Sequence, residues 1–464
     1  MRIFVKDLGI LKQAEFEVSD LTIICGANNT GKTYATYALY GFLTFWNEYY
    51  SYGFLNEENY SQLLKQGSFQ IPLDSISKIT KNIIEKACEN YTHNFSMVFG
   101  ANEKLFQNSK FRIQLDDIDL VKTEKHIKTQ GLTGKPLYEV FKKTGEQFVV
   151  ISIVANTEDM NEVNEKWLLR QVNFDILYVL FGDVFPQPFI ASIERTGATM
   201  FQKELDFTRI WLLDQLSKQD KNIDPFDIFR SNDDRRYALP VKRDVDFIRD
   251  LENVTKHESE IAKNHPDIVN DFYVLAGGEY RATKDGIYYV PKNKKVRLAM
   301  GESASSVRSL LNLGMYIRHI AHPGDFLMID EPELNLHPKN QRLMARLLAK
   351  LVNVGVKVFI TTHSDYILKE INTLIMMKNA GSNAKNLMQH YKYEECELLD
   401  AGRITAYIAK CERIIAEGDS TKKNHNTILS APIGMQGIEI SEFDVTIDIM
   451  NEIQDQLLYG GDLL

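Results

Sequence analysis

Residues Gly26 to Thr33 constrain this chain more than any other stretch. Their sequence, Gly-Ala-Asn-Asn-Thr-Gly-Lys-Thr, matches the phosphate-binding loop pattern G-x-x-x-x-G-K-[ST]. An apolar, β-rich run at 21–25 precedes the loop, and 34–43 is predicted to be a helix. Strand, glycine-containing loop and helix in this order form the context that the pattern requires. The sequence therefore predicts an α/β fold with a phosphate site at this connection.

The loop's composition indicates which ligand it would take. Gly26 and Gly31 let the backbone curl so that its N–H groups point at phosphate oxygens, and the N-terminus of the following helix adds partial positive charge. We expect Lys32 to reach the β- and γ-phosphates and Thr33 to bind Mg²⁺. The predicted ligands are ATP and Mg²⁺, with contacts from Gly26, Asn28, Asn29, Thr30, Gly31, Lys32 and Thr33.

Two carboxylates follow a second buried strand in the C-terminal part of the chain. The apolar run 326–329 ends in Asp330 and Glu331, which open the sequence Asp-Glu-Pro-Glu-Leu-Asn-Leu-His-Pro. A carboxylate at such a strand end can hold Mg²⁺ through water, which is the role we expect for Asp330. Glu331 is then predicted to polarise the attacking water as general base.

A histidine ends the next β-run, Val358 to Thr362. His363 is expected to hydrogen-bond the γ-phosphate or the attacking water and to sense which nucleotide is bound. A lone histidine is more often structural, but this one follows the strand that comes next after the Asp330 strand. With Lys32 and Glu331 it completes the predicted catalytic set.

A serine-rich segment, Gly301 to Ser309, leads into a predicted helix at 310–320. Ser305 and Ser306 lie where that helix would begin. Serines at a helix N-terminus can cap the helix, and they can equally donate hydrogen bonds to an anion placed there. Both interpretations stay open from the sequence.

Taken in this order, the motifs resemble those of an ABC-type ATPase head of the SMC/RecF/OLD branch. More narrowly, they resemble the stand-alone AAA-family ATPases of bacterial phage-defence and abortive-infection operons. The strings that carry the resemblance are Ser305 to Ser309, Ile329 to Pro338 and Thr361 to Asp365, and Ser192-Ile-Glu194-Arg195-Thr-Gly resembles a further short element of these proteins. The resemblance is specific over 1–45, 188–198 and 298–375.

The resemblance implies the fold class: an α/β P-loop ATPase head with a mixed sheet, an antiparallel β subdomain and an inserted helical arm. It also implies a homodimer or higher even-numbered oligomer in which the signature serine of one protomer touches the γ-phosphate held by the other. The signature lacks the Leu-Ser-Gly-Gly-Gln string of transporters, so the serine that faces nucleotide is open between Ser305 and Ser306. The position of a Q-loop glutamine and the roles of Glu194 and Arg195 stay open from the sequence.

Three regions are expected along the chain. Residues 1–197 would form the N-terminal ATPase lobe, 198–272 a helical insertion, and 273–464 the C-terminal lobe with the signature, Asp-Glu strand and histidine. The insertion is strongly charged, which fits a protruding arm or a set of surface helices equally well. The tail from Ile438 to Leu458 is predicted to be a strand and a helix that complete the core.

Composition limits the classes of function. The chain has 464 residues, of which 44% are hydrophobic and 25% charged, as in ordinary globular proteins. It has no apolar run near the roughly 20 residues needed to span a bilayer, so we expect a cytoplasmic protein without a membrane partner. Its cysteines, widely spaced, are expected to be reduced thiols: Cys25, Cys88, Cys396 and Cys411.

Two functions remain in competition. The first is an ATPase that gates a separate effector, a nuclease or toxin, in anti-phage defence. The second is a DNA-repair or chromosome-associated ATPase that binds DNA through the basic stretches 235–243 and 292–297, although such runs are usually solvated surface. The net charge of −9 argues against a generally basic surface but leaves room for a local basic groove. A non-hydrolysing scaffold is disfavoured because all the expected catalytic residues are present.

Overall fold

The computed structural model describes residues 1–46, 54–115, 120–122, 124–130, 135–155, 165–201, 237–283, 286–439 and 449–457. Its strands are β1 (Arg2–Leu8), β2 (Leu11–Glu17), β3 (Leu21–Cys25), β4 (Ser68–Pro72), β5 (Lys110–Gln114), β6 (Lys125–Gln130), β7 (Pro136–Lys142), β8 (Phe148–Ile153), β9 (Pro188–Ala191), β10 (Gly278–Thr283), β11 (Gly286–Pro291), β12 (Leu298–Ala299), β13 (Phe326–Asp330), β14 (Lys357–Thr362), β15 (Ile404–Ile414), β16 (Lys423–Ala431), β17 (Ile433–Gly434) and β18 (Gly437–Ile438).

The α-helices of the same residues are α1 (Lys32–Phe45), α2 (Glu57–Gln66), α3 (Leu73–Thr92), α4 (Phe95–Phe99), α5 (Glu165–Phe181), α6 (Arg195–Met200), α7 (Leu239–Arg249), α8 (Leu251–Val254), α9 (Glu260–Asn264), α10 (Pro266–Ala276), α11 (Ser305–His319), α12 (Pro338–Asn353), α13 (Asp365–Ala380), α14 (Lys385–Tyr391) and α15 (449–457). Short 3₁₀ turns occupy Glu103–Phe106, Met300–Glu302, Gly381–Ala384, Glu395–Glu397 and Ala401–Arg403.

A mixed sheet of nine strands, in the order β5-β1-β2-β16-β15-β3-β14-β13-β9, forms the centre of the described structure. The strands from β15 to β9 in this order run parallel to one another, while β1 pairs antiparallel with β2 and β5. Because parallel strands end at the same edge of a sheet, the segments that follow β3, β14, β13 and β9 emerge side by side. The sequence motifs that follow these four strands therefore lie together at that edge.

Side chains of the central strands alternate between two hydrophobic cores. In β3, Ile24 packs into the core on the α1 side, whereas Ile23 and Cys25 pack into the core formed mainly by the C-terminal helices. Met328 and Ile329 of β13 divide in the same way. A strand covered on both faces is apolar throughout, which is why β3 and β13 are fully buried.

The predicted fold class, a mixed α/β ATPase head with an antiparallel β subdomain, agrees with this architecture. The antiparallel subdomain is the sheet β4-β8-β7-β6, and a second small sheet, β10-β11-β12, contains the hairpin that precedes the signature segment. The strand β5 pairs with β1 at the edge of the main sheet and is not part of the subdomain.

The described part of the predicted insertion packs into the core and does not protrude as an arm. Residues 202–236 lie outside the described part, but 237–272 form helices as expected. Val245, Ile248 and Phe272 are buried in the core on the C-terminal side. The Phe272 ring lies so close to α11 that a Cβ atom on Gly314 would be 2.4 Å from it. These helices therefore fit the second alternative from the sequence, a set of surface helices, in which charged residues share turns with a buried apolar stripe.

The tail differs from expectation. Gly437 and Ile438 form the short strand β18, and Ile438 is buried. The helix at 449–457 is present, but every residue in it is exposed, so it does not complete the core. Among the described residues, no helix combines the length and apolar character needed to cross a bilayer.

The packing of α10 leads to a stability prediction. We expect Phe272→Ala to lower the free energy of unfolding by about 3–5 kcal/mol, because it leaves a cavity against α11. Val274→Ala on the same helix is the matched control; Val274 is 55% exposed, and its loss should change stability by no more than about 0.5 kcal/mol. Chemical denaturation measures both. Equal effects of the two substitutions would show that α10 is not part of the core.

Candidate nucleotide-binding site

The phosphate loop connects β3 to α1 through a backbone that only glycine can adopt at two points. Gly26 has φ +138° and Gly31 has φ +101°. A Cβ atom on Gly26 would lie 2.2 Å from the carbonyl oxygen of Ala409, and one on Gly31 would lie 2.5 Å from the Leu11 side chain. Positive φ and close neighbours together exclude side chains here. The loop therefore lies tightly against the sheet, with Asn28 and Asn29 exposed at its tip.

The N-terminus of α1 faces this loop without a side-chain cap. Gly31 is the N-cap residue, and among the described residues no side chain caps this terminus. The Thr30 hydroxyl instead donates to the carbonyl of Ala27 at 2.8 Å, which stabilises the loop. Helix N-terminal N–H groups that have no side-chain acceptor are suited to an anion.

Lys32 folds back onto the loop that precedes it. Its ammonium donates to the carbonyls of Gly26 and Ala27, both at 2.8 Å, and the residue is only 6% exposed. Burial lowers the pKa of Lys32, while the nearby carboxylates of Glu331, Asp330 and Glu333 act in the opposite direction. The positive charge thus lies beside the loop and faces the carboxylates of the neighbouring strands.

Asp330 and Thr33 meet across the two halves of the sequence. The Thr33 hydroxyl donates to Asp330 Oδ2 at 3.1 Å, and the Thr361 hydroxyl donates to Oδ1. Asp330 is 1% exposed, and burial raises its pKa to about 6. A hydroxyl and a carboxylate oxygen side by side are the hard oxygen donors that Mg²⁺ prefers, so these residues fit the expected metal.

Glu331 and His363 form a second pair at the same edge. The His363 Nδ1 atom lies 3.2 Å from Glu331 Oε1 and 3.3 Å from Glu333 Oε1. Two carboxylates near one ring nitrogen favour a proton on Nδ1, which leaves Nε2 as the acceptor nitrogen of the neutral ring. The Glu331 side chain is 14% exposed and that of His363 is 44% exposed, so both are accessible from solvent.

The sequence analysis missed Glu333, which lies beneath this pair. Its Oε1 atom accepts from the Thr362 hydroxyl at 2.8 Å and from the His363 N–H at 2.7 Å. Its Oε2 atom is buried and has no hydrogen-bond partner among the described residues. Burial raises the pKa of Glu333. The second glutamate of Asp-Glu-Pro-Glu was visible in the sequence, but only the fold places it against the histidine turn.

Two further features adjoin the loop. The segment after β9 lies beside β13, where Glu194 accepts a hydrogen bond from the Tyr37 hydroxyl of α1 at 3.0 Å.

The second feature is a polar cleft of about 620 Å³, which is lined by residues that include Gly9, Leu11, Lys12 and Asn426. Because Leu11 also contacts Gly31, this cleft opens next to the phosphate loop.

The helix α11 begins at Ser305, earlier than the start at 310 predicted from the sequence, and Ser305 and Ser306 do not cap it. The N-cap residue is Ala304, and no side chain in the described part of the chain caps this terminus. Ser305 is exposed and Ser306 partly so. No hydrogen bond among the described residues joins either side chain to the phosphate loop. These serines therefore do not act as caps in the described structure. The other predicted catalytic and metal-binding residues do lie together at one edge of the sheet: Lys32, Thr33, Asp330, Glu331 and His363.

Solved structures give a likeness to SMC heads. An Smc head bound to the C-winged helix domain of ScpA is 13% identical, with 92% of this chain and 97% of that chain covered and a TM-score of 0.33. An Smc head with an extended coiled coil bound to the C-terminal domain of ScpA, derived from Pyrococcus furiosus, is 13% identical over 98% of both chains, with a TM-score of 0.31. The SMC head domain from Thermotoga maritima is 12% identical over 80% and 90%, with a TM-score of 0.25. Values this low support no functional argument.

A family model gives the firmer result. A search of curated proteins finds no match. The model described as "AAA ATPase domain", however, matches residues 1–368, a range that includes the phosphate loop, the signature segment, the Asp330–Glu331 turn and His363. The chain belongs to this AAA ATPase domain family.

Proposed function

We propose that this chain binds ATP with Mg²⁺ and hydrolyses it to ADP and phosphate. The observation that carries the proposal is the meeting of three separate segments at one sheet edge. Thr33 of the phosphate loop bonds Asp330, and Glu331 lies next to His363. The charge on Lys32 is coupled to the carboxylates of both Asp330 and Glu331.

Phosphate binding follows from the loop. The ammonium of Lys32 exchanges the carbonyls of Gly26 and Ala27 for phosphate oxygens, which gives a buried cation a charged partner. The uncapped first turn of α1 donates its N–H groups to the same phosphates. The adjoining polar cleft has the size of a small-molecule pocket and would take the nucleoside.

Thr33 and Asp330 would hold Mg²⁺, which when bound neutralises phosphate charge. Glu331 accepts the proton of the attacking water as general base. His363, whose Nδ1 lies near the two carboxylates, would use Nε2 to hydrogen-bond the water or the γ-phosphate.

ATP is shared between two copies of the chain in this proposal. The exposed, uncapped N-terminus of α11 would meet the γ-phosphate bound by a second protomer through Ser305 or Ser306. Such a reciprocal contact produces a symmetric dimer, or a higher even-numbered oligomer built from it. Binding would close the interface and hydrolysis would open it.

The biological role we favour is control of a separate effector, a nuclease or toxin, in bacterial anti-phage defence. Its support is the resemblance of the strings at Ser305 to Ser309, Ile329 to Pro338 and Thr361 to Asp365 to those of defence-operon ATPases. Identifying what co-purifies with Glu331→Gln protein, which should trap ATP, tests this role. An effector protein supports it, and bound nucleic acid without an effector contradicts it.

Direct DNA binding is the second candidate, and one surface feature favours it. Residues 292–297, between β11 and β12, are all exposed. They carry Lys292, Lys294, Lys295 and Arg297, and none of these side chains forms an ion pair within the described residues. Unpaired cations of this density can contact a phosphate backbone. The other basic stretch, 235–243, lies partly outside the described residues.

Replacing the general base tests the chemistry. Glu331→Gln should keep ATP binding and lower kcat by about 10²–10⁴-fold, because glutamine preserves shape but cannot accept a proton. Steady-state phosphate release and calorimetric ATP binding measure the two effects. Glu395→Gln, an exposed substitution on the 3₁₀ turn that packs against α12, is the control and should behave as wild type. Near-normal turnover of Glu331→Gln would place the base elsewhere.

Mixing two inactive variants tests the shared site. Ser306→Arg blocks the α11 terminus and Lys32→Ala disables the phosphate loop, so each alone should be inactive. Random mixing should restore roughly one quarter of wild-type activity, because half of the dimers are mixed and each of these has one intact site of two. Absence of any recovery, with both variants folded and associated, would contradict assembly across an interface.

A further inference from the structure

An arginine that has no role in the mechanism above lies directly beneath the Asp330–Glu331 turn. Arg195, at the start of α6, is 2% exposed. Its Nη1 group donates to the carbonyls of Ser192 and Asp330, both at 2.7 Å. Its Nη2 group donates to the carbonyl of Glu331 at 2.7 Å, and Nε donates to the carbonyl of Ser309 at 2.9 Å. One side chain therefore joins the end of β9, the end of β13 and the first turns of α11.

The acceptors of Arg195 are unusual for a buried cation. All four are backbone carbonyls, and no carboxylate of the described residues lies within ion-pair distance. The charge is balanced at longer range by Asp244, Asp330, Glu333 and Glu331. A guanidinium presents its donors in one rigid plane, so four bonds to three segments fix the relative positions of those segments. The contacts indicate a geometric role rather than simple charge pairing.

The Glu331 backbone needs such support. Its φ is +52°, in the left-handed region that residues other than glycine seldom adopt. Its N–H donates to the Thr361 carbonyl at 3.1 Å, and its own carbonyl accepts from Arg195. The residue that carries the proposed general base is thus held from both sides, once by β14 and once by Arg195.

The helix α11 is hydrogen-bonded to the same turn. Arg195 binds the carbonyl of Ser309 in α11, and the Ser309 hydroxyl donates to the Leu334 carbonyl at 3.0 Å, three residues after Glu331. A displacement of the N-terminus of α11 would therefore also displace the turn at Glu331, because the hydrogen bonds of Arg195 and Ser309 connect the two.

We propose that Arg195 is a positioning residue that holds Glu331 in its catalytic backbone conformation and couples it to the N-terminal turns of α11. The proposal rests on the proposed role of Glu331 as general base. In the dimer proposed above, the α11 terminus would face the nucleotide of the second protomer, and Arg195 would then link that ATP site to the base of its own protomer.

Arg195→Lys tests the proposal in the full-length chain. Lysine keeps the charge, but a single ammonium cannot reach four carbonyls in three segments. We expect affinity for a non-hydrolysable ATP analogue to stay within about three-fold of wild type, because Arg195 does not contact the loop, and kcat to fall by about 10²-fold through misplacement of Glu331. Arg195→Ala should lower kcat at least as far.

A matched control separates positioning from stability. Arg346 is also largely buried, bonded to Glu397 and to the Lys392 carbonyl in the C-terminal region. Arg346→Ala should lower the melting temperature while kcat stays within about two-fold of wild type. Glu331→Gln, measured alongside, must lose turnover; if it does not, the proposed function fails, whatever Arg195 does.

Three outcomes would overturn the inference while leaving the ATPase intact. They are normal turnover in Arg195→Lys, a loss of analogue binding as large as the loss of kcat, and an equal loss of kcat in Arg346→Ala. Failure of both Arg195 variants to fold, judged by circular dichroism and gel filtration, would assign Arg195 to stability alone and would overturn it too.

Discussion

The parallel alignment of β9, β13, β14 and β3 is the constraint on which the site depends. Register pairs Ile24 with Thr361, Thr361 with Asp330 and Ile329 with Ala191, so the four strands end nearly level. Each strand is continued by a segment of the candidate site, and none of these segments needs to be long to reach the others. Motifs that are separated by about 300 residues along a chain can meet in this way because a sheet brings distant strands to one edge.

Buried charge is the second property of this edge. Lys32 and Arg195 lie among the carboxylates of Asp330, Glu331 and Glu333. Burial disfavours a charged side chain. It therefore lowers the pKa of Lys32 and Arg195 and raises the pKa of Asp330 and Glu333. Hydrogen bonds to loop carbonyls and to threonine hydroxyls compensate in part. In the proposed complex, a nucleotide with its metal would add charged partners, phosphate for Lys32 and a cation for Asp330.

A site residue could be predicted from the sequence only where a local sequence pattern marks it. The phosphate loop, Asp330, Glu331 and His363 were found because each follows a short apolar run, and a strand followed by a polar turn is a local pattern. Glu333 and Arg195 act through contacts that only the fold creates. The four acceptors of Arg195 are backbone carbonyls, which leave no trace in residue type. The choice between an arm and surface helices for 239–272 stayed open from the sequence because helix packing is a tertiary property.

In the proposed function, Lys32 leaves its own loop carbonyls to bind the phosphates of ATP. Calorimetric titration of Mg²⁺-ATP into wild type, Lys32→Ala and the control Lys357→Ala tests it most directly, because Lys357 begins β14 at the opposite edge of the sheet. We predict one ATP bound per chain in wild type and in the control, and no measurable binding in a folded Lys32→Ala protein. An affinity of Lys32→Ala within a few-fold of wild type would contradict the account.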